Sequence, residues 1–245
     1  METINEMFAF LTDSAHYEGT MGIPVRFYEH FLMSFQSLAL GALIAMPVGL
    51  YIGHQRRFEF LAISVGNIGR ALPSFGIVAL VYVFAYNLPG TIGFWPTFIA
   101  LTLLAIPPIM LNTFVGIKEV DRDTIEAARG MGMTEKEILQ RIEIPLAAPL
   151  ILGGVRTAAV QVVATATLGA FTGWGGLGAF IRDGFAVRDF GEVGAGALLV
   201  ALFAIATELM FAGVQRLASP RLSSRQRTRP LERTGTADAG TPATA

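Results

Sequence analysis

The chain has 245 residues, of which 53% are apolar and 15% are charged, and its mean hydropathy is +0.54. Soluble globular domains usually carry about 25% charged residues, so this composition excludes an ordinary soluble domain and indicates a protein that lies in lipid. The net charge of −1 gives no indication of nucleic-acid binding. The chain contains no cysteine, which excludes disulfides, thiolate metal sites and cysteine nucleophiles.

Residues 1–30 predict an amphipathic N-terminal segment on the external side of the membrane. Its apolar residues Ile4, Met7, Phe8 and Leu11 recur at the spacing of one helix face, so we expect a short helix lying on the membrane surface. A frayed tail is the alternative. The segment is acidic, whereas a signal peptide needs a basic start before its apolar run.

Five stretches are apolar enough to cross a bilayer, which takes about 20 residues of helix. They cover residues 31–53, 60–86, 95–117, 150–172 and 193–214. The predicted fold class is therefore all-α, a polytopic membrane helical bundle of about five transmembrane helices, with residues 31–217 as the transmembrane domain.

The second of these stretches contains Pro73, and a proline removes a backbone hydrogen bond and clashes with the preceding turn. This span is therefore predicted to be broken near Pro73. One kinked helix and two half-helices are both compatible with the sequence.

The positions of lysine and arginine predict an external N-terminus and a cytoplasmic C-terminus, because cytoplasmic loops carry the excess of basic residues. Thirteen lie on one side of the spans and three on the other. The thirteen are Arg56, Arg57, Lys118, Arg122, Arg129, Lys136, Arg141, Arg216, Arg221, Arg225, Arg227, Arg229 and Arg233; the three are Arg26, Arg182 and Arg188. Residues 218–245 lack apolar periodicity and predict a disordered cytoplasmic tail, whose arginines could contact anionic membrane lipid.

The longest cytoplasmic loop, residues 118–149, is predicted to hold two helices joined by a turn. Residues 121–129 favour the first helix, and the flanking glycines Gly130 and Gly132 permit a sharp turn. The loop is too long to be a simple connection, so we expect it to have a role of its own.

The second helix of this loop is predicted to begin at Thr134, which forms a capping box with Glu137 three residues later. Pro145 is expected to end it. Ile138 and Ile142 lie four residues apart on one face and need a partner, either the loop's own bundle or another protein. A capped cytoplasmic helix with an apolar face is typical of a docking element, so residues 134–143 are predicted to dock a partner.

The run EAARGMGMTEKEILQRIEIP resembles the signature loop of binding-protein-dependent ABC importer permeases, which reads E-A-A, three residues, G, nine residues, I-x-L-P. Ile144 stands where leucine is usual. The matching residues are Glu126, Ala127, Ala128, Gly132, Ile142 and Pro145. The resemblance implies that residues 118–149, called the coupling loop below, sit in a cleft of a separate ATPase subunit.

The same resemblance implies further partners and a location. They are a second permease subunit, identical or homologous, and an extracytoplasmic substrate-binding protein, in a bacterial plasma (inner) membrane. It also implies a permease fold like that of methionine importers and alternating access by rigid-body rocking.

A second match lies between the fourth and fifth spans, where the run TGWGGLGAFIRDG resembles a glycine segment of permeases for glycine betaine, carnitine, choline, methionine or alkyl sulfonates. Gly175, Gly176 and Gly178 permit close packing or tight turns at the outer face, whereas a loose loop is the bland alternative. The runs ALPSFGIV and IPPIMLNTFVGI resemble the osmoprotectant branch most closely. This similarity implies a small compatible solute such as glycine betaine, choline, carnitine or proline, with methionine or an alkyl sulfonate as the alternative.

Catalytic and cofactor motifs are absent from the sequence. Neither lysine follows a glycine, so no P-loop can form and ATP is expected to bind the partner subunit. His16, His30 and His54 stand apart without metal-ligand spacing, so no metal or other cofactor is expected. The chain is thus predicted to be a transport subunit rather than an enzyme. An ion-coupled secondary transporter and a membrane scaffold are the competing classes, although the first usually shows internal repeats and the second leaves the signature loop unexplained.

Glu208 lies inside the fifth predicted span and needs an opposite charge at its own depth, because an unpaired charge in a bilayer is costly. At 1.5 Å per residue, Glu208 lies about 12 Å from the cytoplasmic edge, Arg70 about 16 Å and Arg156 about 9 Å. An ion pair between Arg70 and Glu208 is predicted, with Arg156 as the alternative partner. Sequence gives no lateral distance that would separate the two.

Overall fold

The computed structural model describes residues 2–89 and 92–218, apart from the side chains of Glu2 and Arg70. The predicted tail, residues 218–245, lies outside the described residues except for its first position. The described part of the chain is helical and contains no strand, which confirms the all-α fold class. The helices that position the functional segments are α1 Glu2–Thr12, α2 Ile23–Gln55, α3 Glu59–Ala71, α4 Ser74–Ala85, α5 Phe94–Lys118, α6 Arg122–Gly130, α7 Glu135–Ile138, α8 Ile144–Thr165, α9 Gly178–Val187 and α10 Phe190–Ala218.

Four continuous helical stretches in the described residues are long and apolar enough to cross a membrane, and they contain α2, α5, α8 and α10. The pair α3 and α4 passes the same test together, so the count reaches five when this pair is one broken span. The two helices are bent by 96° at a break that includes Pro73. Of the two forms that the sequence left open, the structure has two half-helices.

The helix that contains the first span begins before residue 30. We predicted an external segment up to residue 30, but α2 already starts at Ile23, with Pro24 in its first turn. A proline is well tolerated there because its missing N–H has no partner in the first turn of a helix. Because a helix of 33 residues is longer than a bilayer is thick, it can extend beyond the membrane, and the boundary at residue 30 stays a prediction.

The amphipathic helix α1 is present, but it packs against α10. Phe10 and Leu11 join a core cluster with Ile23, Phe180 and Val200, while Ile4 and Phe8 stay exposed. Only part of the predicted apolar face is thus used inside the protein. The exposed remainder is free to contact lipid.

Helix α5 forms the centre of the bundle, with α2 and α8 as its main neighbours. A stripe of small residues runs along α2 at every fourth position and lies in the core or against α5. It consists of Gly41, Ala45, Gly49 and Gly53. Side-chain atoms at the three glycines would overlap α5, so the two helices approach closely because the stripe is small. The largest cluster of buried apolar residues lies between α2, α5 and α8.

Candidate functional site: the coupling loop

The coupling loop folds as two short helices whose ends are capped by side chains. Asp121 precedes α6 and accepts a hydrogen bond from the backbone N–H of Asp123 at 2.8 Å. Thr134 precedes α7 and forms the predicted capping box: its hydroxyl faces the N–H of Glu137, and the Glu137 carboxylate accepts from the Thr134 N–H at 3.0 Å. These caps satisfy donors that would otherwise lack partners in such short helices.

The turn between α6 and α7 depends on Gly132, whose φ of +85° lies in the left-handed region that favours glycine. Arg129 then joins the two helices, because its guanidinium donates to both carboxylate oxygens of Glu135 at 2.8 and 3.1 Å. This two-point contact raises the pKa of Arg129. The turn is therefore held in one shape by a backbone conformation and an ion pair.

The apolar stripe of the second helix faces inward. Ile138 is 0% exposed and packs with Val120, Ile125 and Ala128, and Ile142 lies against the same cluster. Of the two partners considered for this stripe, the loop's own bundle is the one found. The Ile138 side chain is therefore corrected from a docking contact to a core residue of the loop, whereas Ile142 is only partly buried and docking by residues 134–143 stays a prediction.

Pro145 does not end the second helix. The chain passes from α7 through a wider π-helical turn, Leu139–Glu143, straight into α8, and Pro145 lies in the first turn of α8. A proline ring clashes with the carbonyl one turn back in a regular α-helix. We infer that the wider turn relieves this clash, so the expected stop becomes a local change of helix type.

The exposed surface of the loop includes signature residues around the turn. Glu126 and Ala127 are exposed, and Met131 is 75% exposed. A Cβ atom at Gly130 or Gly132 would meet no atom within 4 Å, so both glycines border open space. Ala128, by contrast, is buried in the loop core. The α6–α7 turn and the outer faces of α6 and α7 are therefore open to a partner.

Sequence reasoning missed the link between this loop and α2. His54 in the last turn of α2 contacts Glu143 at 2.5 Å through Nδ1 and Glu135 at 3.4 Å through Nε2. With Glu126 and three arginines, these residues line a cavity of about 510 Å³. The one available signal was the position of Glu143 between Ile142 and Ile144, where a carboxylate needs a buried partner.

The external glycine segment is held against the start of α2. The Gly176 N–H donates to Glu29 at 2.8 Å, and the Leu177 N–H donates to Nδ1 of His30 at 3.2 Å. Nε2 of His30 donates in turn to the carbonyl of Val163 at 2.9 Å. His30 thus uses both ring nitrogens inside the protein, and the segment is an ordered part of the bundle.

At each of the three glycines of this segment, a residue with a Cβ atom would cause overlap or backbone strain. A Cβ at Gly175 would overlap Glu29 and Arg26, and one at Gly178 would overlap the backbone of Thr167. Gly176 has a φ of +77°. The expectation of close packing and a tight turn describes what the structure contains at these positions.

In the membrane, Glu208 pairs with Arg156, the alternative partner. Nε of Arg156 donates to Glu208 at 2.8 Å, and a second nitrogen of the same guanidinium contacts the same oxygen. Helix packing favours this partner over the first-named Arg70, because α8 packs directly on α10 whereas α3 packs on α5. The Arg70 side chain itself lies outside the described residues.

Helices of membrane-spanning length and an ordered loop on one side of them define a multi-pass membrane protein. A family model described as "Binding-protein-dependent transport system inner membrane component" matches residues 38–224. The chain belongs to this family, which confirms the predicted resemblance. It is thus a multi-pass permease component of an ABC importer in the bacterial inner membrane.

Similar proteins agree with this assignment. The chain is 31% identical over 227 residues to the carnitine transport permease protein OpuCD of Listeria monocytogenes, covering 92% of this chain and 97% of that protein. It is 35% identical to the choline transport system permease protein OpuBB of Bacillus subtilis, covering 79% and 87%. A glycine betaine/carnitine/choline permease protein of B. subtilis, OpuCB, is 34% identical with the same coverage.

The fold is also similar to solved structures. An inward-facing structure of the MetNI methionine ABC transporter matches with a TM-score of 0.71 and 23% identity, covering 82% of this chain and 98% of the other. This match confirms the expected methionine-importer-like permease fold.

Proposed function

We propose that this chain forms the translocation pathway for a small compatible solute with a quaternary ammonium group, such as glycine betaine, choline or carnitine. Proline is the fourth candidate solute, after these three. The observation that carries the proposal is the similarity to three permeases named for these solutes, each at 31% identity or more over most of the chain. The solute first binds a separate extracytoplasmic protein, as the family description implies.

A polar cleft at membrane depth supports a pathway on one face of this subunit. Asn112 of α5 and Thr157 and Gln161 of α8 line a cleft of about 280 Å³ whose other wall is formed by α3. Polar side chains within spans usually face a water-filled cavity or another protein rather than lipid.

A second permease subunit, identical or homologous, completes the pathway in this proposal, and an ATPase subunit supplies the energy. Two features support such an assembly. The chain belongs to a family of transport-system membrane components, and the exposed α6–α7 turn offers a separate surface for the ATPase. The chain itself has no P-loop, so ATP is bound by that partner and no cofactor is needed here.

Uptake by the complete transporter tests the substrate class. Permease, ATPase and binding protein are reconstituted in liposomes with ATP inside, and uptake of radiolabelled glycine betaine, choline, carnitine, proline and methionine is compared. We expect ATP-dependent uptake of at least one quaternary ammonium solute, blocked by an excess of the unlabelled compound. Uptake of methionine alone would contradict the proposed solute class while leaving the family assignment in place.

A further inference from the structure

His54 contacts both ends of the segment 135–143 of the coupling loop, which continues directly into α8. Glu135, at 3.4 Å from Nε2, is the first residue of α7, and Glu143, at 2.5 Å from Nδ1, is the last residue of the π-helical turn. The two ring nitrogens of an imidazole point in different directions, so one side chain can reach both carboxylates. His54, which belongs to another helix, therefore connects the start of α7 to the end of the π-helical turn.

The two carboxylates that His54 contacts differ in their exposure to water. The Glu143 side chain is 3% exposed and that of His54 is 10% exposed, whereas Glu135 is 55% exposed and is also held by Arg129. A buried carboxylate without a partner is strongly unfavourable. The link between His54 and Glu143 is therefore the firm half of the bridge, and the link to Glu135 connects it to the docking turn.

The bridge joins α2 to the coupling loop. His54 belongs to α2, which packs along α5 in the middle of the bundle, whereas Glu135 and Glu143 belong to the loop that presents the exposed turn. A π-helical turn is a wide, irregular part of a helix and is often found at functional sites. Without an outside brace, a push on α7 would be absorbed at this turn instead of reaching the spans.

We propose that His54 is a positioning residue that transmits movement of the coupling loop to α2 during transport. The inference rests on the proposed function, because it requires an ATPase that moves the loop. His54 does not contact ATP or solute in this account. It acts through Glu143 and Glu135, and its loss uncouples ATP hydrolysis from solute movement.

The test measures solute molecules imported per ATP hydrolysed by the complete transporter in liposomes. His54→Ala is expected to assemble with the ATPase and to hydrolyse ATP, while this ratio falls at least about fivefold, the low end of typical couplings between linked sites. Glu143→Gln is expected to lower the same ratio, and the double variant is expected to be no worse than His54→Ala. A purely structural role would reduce uptake and hydrolysis in parallel and leave the ratio unchanged.

Glu59→Gln is the matched control, because it removes a carboxylate from another ion pair at the same membrane edge, the pair with Lys118. Its ratio should equal that of the unchanged protein. If His54→Ala does not assemble, the double variant of His54→Ala with Glu143→Gln is used, since it leaves no unpaired buried carboxylate. An unchanged ratio in the His54 variant that assembles would overturn the inference. Absence of any ATPase in the unchanged preparation would instead overturn the proposed function.

Discussion

Gly132→Asp is expected to abolish solute uptake while the amount of chain inserted in the membrane stays unchanged. Gly132 has a φ of +85°, and forcing a residue with a Cβ into the left-handed region costs roughly 1–2 kcal/mol. The aspartate would also place a negative charge on the exposed turn where the ATPase is proposed to dock. The change is local, because no atom lies within 4 Å of the position that its Cβ would occupy.

Two variants separate the causes. Gly19→Asp has the same chemistry at an external glycine with a φ of +74° and open space around it, and it should retain uptake. Gly132→Ala adds backbone strain without charge and should reduce uptake less than Gly132→Asp. Uptake and insertion are measured in membranes, and ATPase binding is measured by co-purification. Full ATPase binding and full uptake in Gly132→Asp would show that this turn is not the docking surface.

Exchanging the charges of Arg156 and Glu208 is expected to show that the yield of folded protein depends on the two charges being opposite. A single change, Arg156→Glu or Glu208→Arg, leaves two like charges in contact within the membrane. An unpaired charge at the centre of a span costs about 2.5–3.5 kcal/mol on insertion scales. Each single variant should therefore lower the yield of folded protein sharply, and the double exchange should recover much of it.

The same cycle with Arg70 is the control for partner choice. Arg70→Glu combined with Glu208→Arg should not recover the yield, because the described contacts of Glu208 go to α8. Folded yield is measured by the monodisperse fraction after extraction in mild detergent. Recovery in the Arg70 cycle, together with none in the Arg156 cycle, would contradict the pairing that the structure contains.

Features that depend on neighbouring residues could be predicted from the sequence. The capping box of Thr134 and Glu137 involves residues three apart, and its geometry follows from the start of any helix. The break at Pro73 follows in the same way from the chemistry of proline. Spans could be located because the bilayer sets their length, although their ends were less certain, as the start of α2 at Ile23 shows.

Features that depend on contacts between residues far apart in the sequence could not be predicted from it. His54 and Glu143 are 89 residues apart, and neither belongs to a pattern that indicates the other. The depth of Arg70, Arg156 and Glu208 could be estimated from helix rise, but the choice between the two arginines required knowing which helices are neighbours. Likewise, the inward direction of Ile138 depends on its contacts with Ile125 of α6 and with Val120, which lies just before α6.

Co-purification tests the central claim most directly. The chain is purified through a tag, in mild detergent, from cells that make it together with the proteins of its own transporter. An ATPase subunit should accompany it in a fixed ratio, and bound nucleotide should be found on that subunit and not on the chain after the two are separated. The account is contradicted if the separated chain binds and hydrolyses ATP itself, or if it imports solute in liposomes from an ion gradient with no ATPase present.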